Sequence, residues 1–223
     1  MNPALFEVNG CASVLGVLTP EECTALALRV QPGTDSVGNR CLLSEDWCAV
    51  LAARLRQHAE LATLLPTDHV AVQCTYFEKS LARNWLVPVH QDLSIPVAQR
   101  VNDPVLQGWS QKDGAWFVQA PLPVLEQLLA VRIHLDACTA DDGPLRVVPG
   151  SHTLGCLMPD AAMAVRNTRA QVSCPAGQGG ALVMRPLLLH ASSKSTGTSR
   201  RRVLHFVFGP RALPHGLQWH TAV

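Results

Sequence analysis

The sequence predicts a mainly β domain of the sandwich, jelly-roll or barrel kind with helices at its N-terminal end, on three observations. Apolar stretches at 70–77, 130–136, 145–148, 181–185 and 202–208 are short, and each is bounded by Gly, Pro or Asp turn residues. They are not separated by the helical patterns that a doubly wound sheet requires. The two helices that can be named from their caps and period lie near the start of the chain.

Two helices are expected there. Thr19-Pro20-Glu21-Glu22 supplies an N-cap, a proline at the first helical position and a glutamate that closes a capping box. This helix should run to about Val30 and stop before Pro32-Gly33. A second should start at Ser44, with Glu45 and Asp46 placed against the helix dipole, with Trp47, Val50, Leu51 and Leu55 on its apolar face, and with its end at Pro66. The 223 residues fit one domain: a helical part over 1–66 and a strand-built core over 67–210. The stretch 94–129, rich in Pro, Gly, Trp and Gln, is too long for an ordinary loop and suggests a partly helical, lid-like insertion that moves.

The formal net charge is +1, and Arg200-Arg201-Arg202 is the densest basic run, so a nucleic-acid partner is not expected. Eight cysteines, none in a Cys-x-x-Cys pair, read as reduced thiols packed as small hydrophobes. Neither a basic-then-apolar leader nor an apolar run of membrane-spanning length is present, so a cytoplasmic protein without membrane contact is expected. The oligomeric state is not legible.

His90-Gln91-Asp92 follows Pro88 in a short extended segment. Residues two apart on a strand point to one side, so both side chains can meet one metal ion. With a distant histidine they would form a 2-His-1-carboxylate facial triad, which leaves positions open for other ligands. Two rival pairs exist. His58-Ala59-Glu60 lies on the second helix, where residues two apart diverge. His134-Leu135-Asp136 lies on an expected strand, where Arg132, His134 and Asp136 would share a polar face, either as the wall of a wet cavity or as a solvated surface.

Asp141-Asp142-Gly143-Pro144-Leu145-Arg146-Val147-Val148-Pro149-Gly150-Ser151-His152 and, later, Pro186-Leu187-Leu188-Leu189-His190-Ala191-Ser192 resemble the segments that follow the metal pair in the phytanoyl-CoA dioxygenase family. Arg201 stands eleven residues after His190, the spacing of that family's cosubstrate arginine, and His90-Gln91-Asp92 matches its proximal metal motif. The likeness covers about 70–208, with a weaker part around 10–26.

This resemblance implies a double-stranded β-helix, a cupin-like jelly roll that holds Fe(II) through His90, Asp92 and His190 and anchors 2-oxoglutarate on Arg201. A guanidinium suits that role because it makes two parallel charge-assisted hydrogen bonds to a carboxylate. Gln73, Lys79 and Ser192 resemble positions around the cosubstrate. Strand alternation puts Arg201, Val203 and His205 on one side and Arg202 and Leu204 on the other, with Arg200 and Arg202 read as solvated. Arg132 replaces a tryptophan found beside the cosubstrate in some relatives, and His205 replaces a small residue. Arg132 and His134, with Trp109 and Trp116 from 94–129, are therefore expected to meet the substrate, and Arg132 would either recognise an acidic group or pair with Asp136.

The implied reaction consumes molecular oxygen, releases succinate and CO2, and hydroxylates a C–H bond of a small-molecule substrate that the sequence does not name. Halogenating relatives have Gly or Ala where this chain has Asp92, so hydroxylation is favoured over halogenation. The competing expectation is a non-catalytic jelly roll that binds a small acid or a protein.

Overall fold

The computed structural model describes residues 2–30 and 38–223, with the side chains of 38 and 39 left aside. Five helices and thirteen strands follow in chain order: α1 (Pro3–Asn9), β1 (Cys11–Val14), α2 (Pro20–Arg29), β2 (Gly38–Asn39), α3 (Asp46–Gln57), β3 (His69–Lys79), β4 (Val87–His90), β5 (Ser94–Val97), β6 (Gln107–Lys112), β7 (Ala115–Gln119), α4 (Leu122–Leu125), β8 (Leu129–His134), β9 (Leu145–Val147), α5 (Pro159–Thr168), β10 (Val172–Cys174), β11 (Ala181–Met184), β12 (His190–Ser192) and β13 (Arg201–Pro210).

Three antiparallel sheets result, with strand orders β1-β11-β8-β13-β3-β2, β10-β9-β12-β4 and β5-β7-β6. The first two are the large and small sheets of a jelly roll. On β8 and β13 the side chains alternate strictly. Val131, Ile133, Leu204, Phe206 and Phe208 pack outward with Phe6, Cys23, Leu51 and Leu55 of the helices in one buried cluster. Arg132, His134, Arg201 and His205 point the other way, towards the small sheet. Both faces are covered, so these strands read as almost continuous apolar runs. Each large apolar side chain buried here contributes about 1.5–3 kcal/mol.

Alternation breaks once on β3. Gln73 pairs with Val207 and Ala71 with Phe208, which leaves Val72 as the extra residue of a β-bulge. As a result Ala71, Cys74 and Tyr76 face the helices, whereas Val72, Gln73, Thr75 and Phe77 face the interior between the sheets.

The capping box on α2 forms as expected: Thr19 Oγ1 accepts from the Glu22 N–H at 3.3 Å, and Glu22 Oε2 accepts from the Thr19 N–H at 2.8 Å. Glu22 also takes Arg54 of α3 in a two-point pair, which locks the two helices together. The expected stop at Pro32-Gly33 lies outside the described residues. Two expectations for α3 need correction. It ends at Gln57 rather than at Pro66, and Val50 is exposed because Cys48, Leu51, Ala52 and Leu55 form the buried stripe. The N-terminal part is also not purely helical, since β1 and β2 close the two edges of the large sheet.

The segment 94–129 holds more strand than the sequence suggested: it is a three-stranded sheet followed by the four-residue α4. Its residues Ile95, Val97, Val118 and Leu125 pack with Val70, Leu187 and Trp219 in a buried cluster. Among the described residues no helix is long and apolar enough to cross a membrane.

Candidate active site

A cavity of about 360 Å³ lies between the large and small sheets and is walled on one side by the β5-β7-β6 sheet. His90 ends β4 and His190 begins β12, and the two are register partners across the small sheet. Their rings lie 4.2 Å apart, centroid to centroid. Asp92 follows β4, with its N–H donating to Pro186 O at 2.9 Å. Its Oδ1 is 3.6 Å from His90 Nε2 and its Oδ2 is 3.7 Å from His190 Nε2.

The tautomers of both imidazoles follow from their partners. A carbonyl oxygen can only accept, so His90 Nδ1–H donates to Pro88 O and His190 Nδ1–H donates to Leu188 O, each at 2.9 Å. That leaves both Nε2 lone pairs facing Asp92, the arrangement a metal needs of its histidine ligands. Burial holds His190 down to about 4, so it is neutral at ordinary pH. Burial pushes the Asp92 carboxyl up, but the imidazoles of His190, His90 and His205 outweigh it and hold the group well below the usual carboxylate range. Burial pulls His90 down, but the Asp92 carboxylate and Pro88 O outweigh it and raise the ring, so a metal binding there displaces a proton from Nε2. Two imidazole nitrogens and one carboxylate fit a divalent iron that keeps open positions. Among the described residues these three are the only cluster with ligand atoms all within 4.8 Å of one another.

The residue between His90 and Asp92 fixes their phase. Gln91 is buried, and its Nε2 donates to Gly155 O at 2.8 Å and Leu187 O at 2.7 Å, while its Oε1 accepts from the Leu157 N–H at 2.8 Å. Its side chain therefore points away from the cavity, and those of His90 and Asp92 point into it. Reading the motif as His-x-Asp overlooked this role, although an amide in the middle position was its signal. Gln91→Leu strands three backbone groups, one buried and two part-buried, so chemical denaturation should reveal a loss of about 1–3 kcal/mol for the buried group and less for the other two. Unchanged stability would mean that water replaces the amide.

The rival pair does not assemble. Asp136 takes Arg202 in a two-point salt bridge, at 2.8 Å to Nε and 2.6 Å to Nη2. β8 ends at His134, so Asp136 leaves the face that Arg132 and His134 share, and the expected Arg132–Asp136 pair does not form. His134 is buried with its Nδ1 unpartnered, and burial followed by Arg132 and Arg201 holds it down to about 3. It lies behind the cavity wall rather than on it.

Of the three consecutive arginines, the outer two are committed to carboxylates, Arg200 to Glu78 at 2.9 Å and Arg202 to Asp136. Arg201 points inward, as the strand phase requires, and is buried on the cavity wall. Its Nη1 donates to Gly143 O, its Nε has no partner, and no carboxylate pairs with it among the described residues. Gly143 has φ of +60°, and a Cβ there would sit 2.4 Å from Ser193 O, so only glycine lets its carbonyl reach both Arg201 Nη1 and Ser192 Oγ.

Ser192 Oγ also accepts from Lys79 Nζ at 2.8 Å, and the ammonium lies 5.4 Å from the Trp85 ring centroid. Burial, then repulsion from Arg201, lowers Lys79 to about 8. Gln73 Nε2 donates to Thr75 Oγ1 at 2.9 Å, which leaves the Thr75 hydroxyl hydrogen free on the cavity side.

The tryptophans are a further correction. Trp109 and Trp116 form an edge-to-face pair, 6.3 Å between centroids, on the face of the β6–β7 hairpin that turns away from the cavity. Their strand neighbour Phe117 and the more distant Trp85 line it instead, together with Lys112 and Arg40, which the sequence did not single out. Asn84 clamps the 193–197 loop through both amide atoms on Ser195. Ser151 joins Val148 O to the Leu189 N–H, a structural link that sets the approach to β12.

Comparison by sequence with curated proteins finds no match. Among solved structures, AviO1 from Streptomyces viridochromogenes is similar over 95% of this chain and 94% of its own, at 24% identity and a TM-score of 0.64. HygX from Streptomyces hygroscopicus, solved with nickel and 2-oxoglutarate, is 16% identical over 93% of this chain and 85% of its own, with a TM-score of 0.64. The epimerase SnoN, in complex with Fe3+, alpha ketoglutarate and nogalamycin RO, is 17% identical over 96% and 85%, with a TM-score of 0.67. These likenesses establish the jelly-roll fold. The model of the phytanoyl-CoA dioxygenase family matches residues 6–203, a span that takes in the whole His90-Asp92-His190 cluster and Arg201. The chain therefore belongs to the phytanoyl-CoA dioxygenase family of iron- and 2-oxoglutarate-dependent oxygenases.

Proposed function

We propose that this protein hydroxylates a C–H bond of a small molecule in the cytoplasm, with His90, Asp92 and His190 holding Fe(II) and Arg201 anchoring 2-oxoglutarate. The observation that carries the reading is the convergence of two tautomer-fixed Nε2 atoms and one ionised carboxylate beside a buried arginine without a carboxylate. The chemistry supplied by bound iron and cosubstrate is activation of dioxygen, with decarboxylation of 2-oxoglutarate to succinate and CO2.

The chain's own residues prepare that chemistry. Pro88 O and Leu188 O orient the ligand imidazoles, so little reorganisation accompanies binding. Gly143 O holds the Arg201 guanidinium in place and also takes the single Ser192 hydroxyl hydrogen, so of the two hydroxyls only that of Thr75 is set to donate to a cosubstrate oxygen. Lys79 acts behind Ser192 as a positioning residue. Leu93, Ile95 and Phe117 wall off the reacting region and exclude water, which protects a reactive oxidant from being quenched. The packed 94–129 segment serves as this wall. The carboxylate at Asp92 occupies a ligand position that halide transfer would need, which favours hydroxylation.

Anaerobic addition of Fe(II) and 2-oxoglutarate to the metal-free protein should give the visible charge-transfer absorption of a chelated keto acid, and admitting oxygen should yield succinate. Lack of both would leave the non-catalytic jelly roll as the better reading.

A further inference from the structure

Arg132 is a buried cation left over by this centre. It is 7% exposed, lines the cavity, and carries an Nε without a partner. Its Nη1 donates to Nδ1 of His205 at 2.9 Å, and the guanidinium lies over the Phe77 ring, 5.6 Å from the centroid. His205 accepts that bond as a neutral ring, held down to about 3 by burial and by Arg132 itself. No carboxylate pairs with Arg132 among the described residues, and Asp136, the nearby acid in sequence, is taken by Arg202.

Charge balance makes the surplus specific. The two charges of Fe(II) would be answered by Asp92 and the near carboxylate of 2-oxoglutarate, and Arg201 by the far carboxylate. Lys79, lowered to about 8, can shed its proton at small cost. A guanidinium lowered only to about 10, by burial and by Arg201, keeps its charge at neutral pH. An unpaired buried charge is among the costliest features a fold can keep.

Resting on the oxygenase reading above, we propose that Arg132 recognises the primary substrate, and that this substrate presents an anionic oxygen group, in the simplest case a carboxylate, on an apolar body. The rest of the wall agrees. Leu93, Ile95, Leu128 and Val207 offer apolar surface in the one cavity of about 360 Å³ that cosubstrate and substrate would share. Lys112, 5.0 Å from the Phe117 centroid, adds positive charge to the lining, which raises the local concentration of anions, whereas Arg40 is paired with Asp113 at 3.3 Å.

The test uses the anaerobic enzyme loaded with Fe(II) and saturating 2-oxoglutarate. Probes are phenylacetate, hexanoate and benzenesulfonate, each against its neutral primary amide, read by calorimetry and by perturbation of the charge-transfer absorption. Anions are expected to bind at least about ten-fold more tightly than amides, and a preference among the three anions identifies the oxyanion. Arg132→Gln should erase the preference and Arg132→Lys should retain part of it, with 2-oxoglutarate affinity changed by less than about three-fold in both. Equal binding of amides and anions by the wild type overturns the proposal. So does loss of 2-oxoglutarate affinity in Arg132→Gln as large as that in Arg201→Ala, which would assign the cation to the cosubstrate. Absence of the absorption in the wild type overturns the oxygenase reading itself, and this proposal with it.

Discussion

His190→Ala is expected to leave the protein unable to retain iron, and His90→Ala and Asp92→Ala should behave alike. Outer-sphere changes alone typically weaken metal binding about 10–100-fold, so removal of a ligand atom should exceed that range. Metal content after gel filtration is the direct measurement, and succinate production should fall with it. The fold should survive, because the three side chains stand on a cavity wall rather than in either large apolar cluster. His134→Ala and Asp136→Ala are the controls. The first removes a ring packed behind the wall, and the second frees Arg202, so each should cost stability without touching iron. Iron kept by His90→Ala and Asp92→Ala, and lost by His134→Ala, would move the centre to β8.

That the clustering of His90, Asp92 and His190 was legible from the sequence follows from how it is built. A strand places residues two apart on one side whatever its surroundings, so His90 and Asp92 needed only an extended segment, and the phase of β13 separates Arg201 from its neighbours for the same reason. The partners of the outer arginines were beyond such reasoning. Glu78 and Asp136 lie far from Arg200 and Arg202 in the chain, and only the register of β3, β13 and β8 brings them together. The same holds for Gly143, whose shared carbonyl depends on a turn meeting β12.

The strands of 94–129 were missed for a different reason. Asp113-Gly114 carries φ of +50° and +81° and joins Lys112 to Ala115 as register partners, which makes it a two-residue hairpin turn. An Asp-Gly pair flanked by alternating residues is a strong hairpin signal, and here the abundance of Pro, Gly and Trp around it obscured the alternation. With the hairpin unrecognised, Trp109 and Trp116 could not be placed on a face. Once β6 and β7 are paired, Phe117 must point opposite to Trp116, and it is Phe117 that reaches the cavity. Val50 shows the converse limit. It shares a helical period with Trp47 and Leu51, yet the buried stripe of α3 is centred on Cys48, Leu51, Ala52 and Leu55, which puts Val50 on the opposite face, 69% exposed.

Arg201→Ala is expected to weaken 2-oxoglutarate binding strongly while leaving iron affinity nearly unchanged. Truncating one member of a buried charge-assisted pair typically costs about 2–5 kcal/mol, which corresponds to at least about 30-fold in the dissociation constant. The candidate iron ligands share no hydrogen bond with Arg201: its Nη1 binds Gly143 O, whereas His90 and His190 are oriented by Pro88 O and Leu188 O. Arg200→Ala and Arg202→Ala would break the pairs with Glu78 and Asp136 on the opposite side of β13. Both should therefore lower stability and spare cosubstrate affinity. Titrating 2-oxoglutarate into the anaerobic iron-loaded variants, and following the charge-transfer absorption, separates the three. A silent Arg201→Ala beside a large loss in Arg202→Ala would mean that the guanidinium entering the cavity belongs to Arg202, a one-residue slip of β13 that would also turn His205 out of the site and bring Leu204 in.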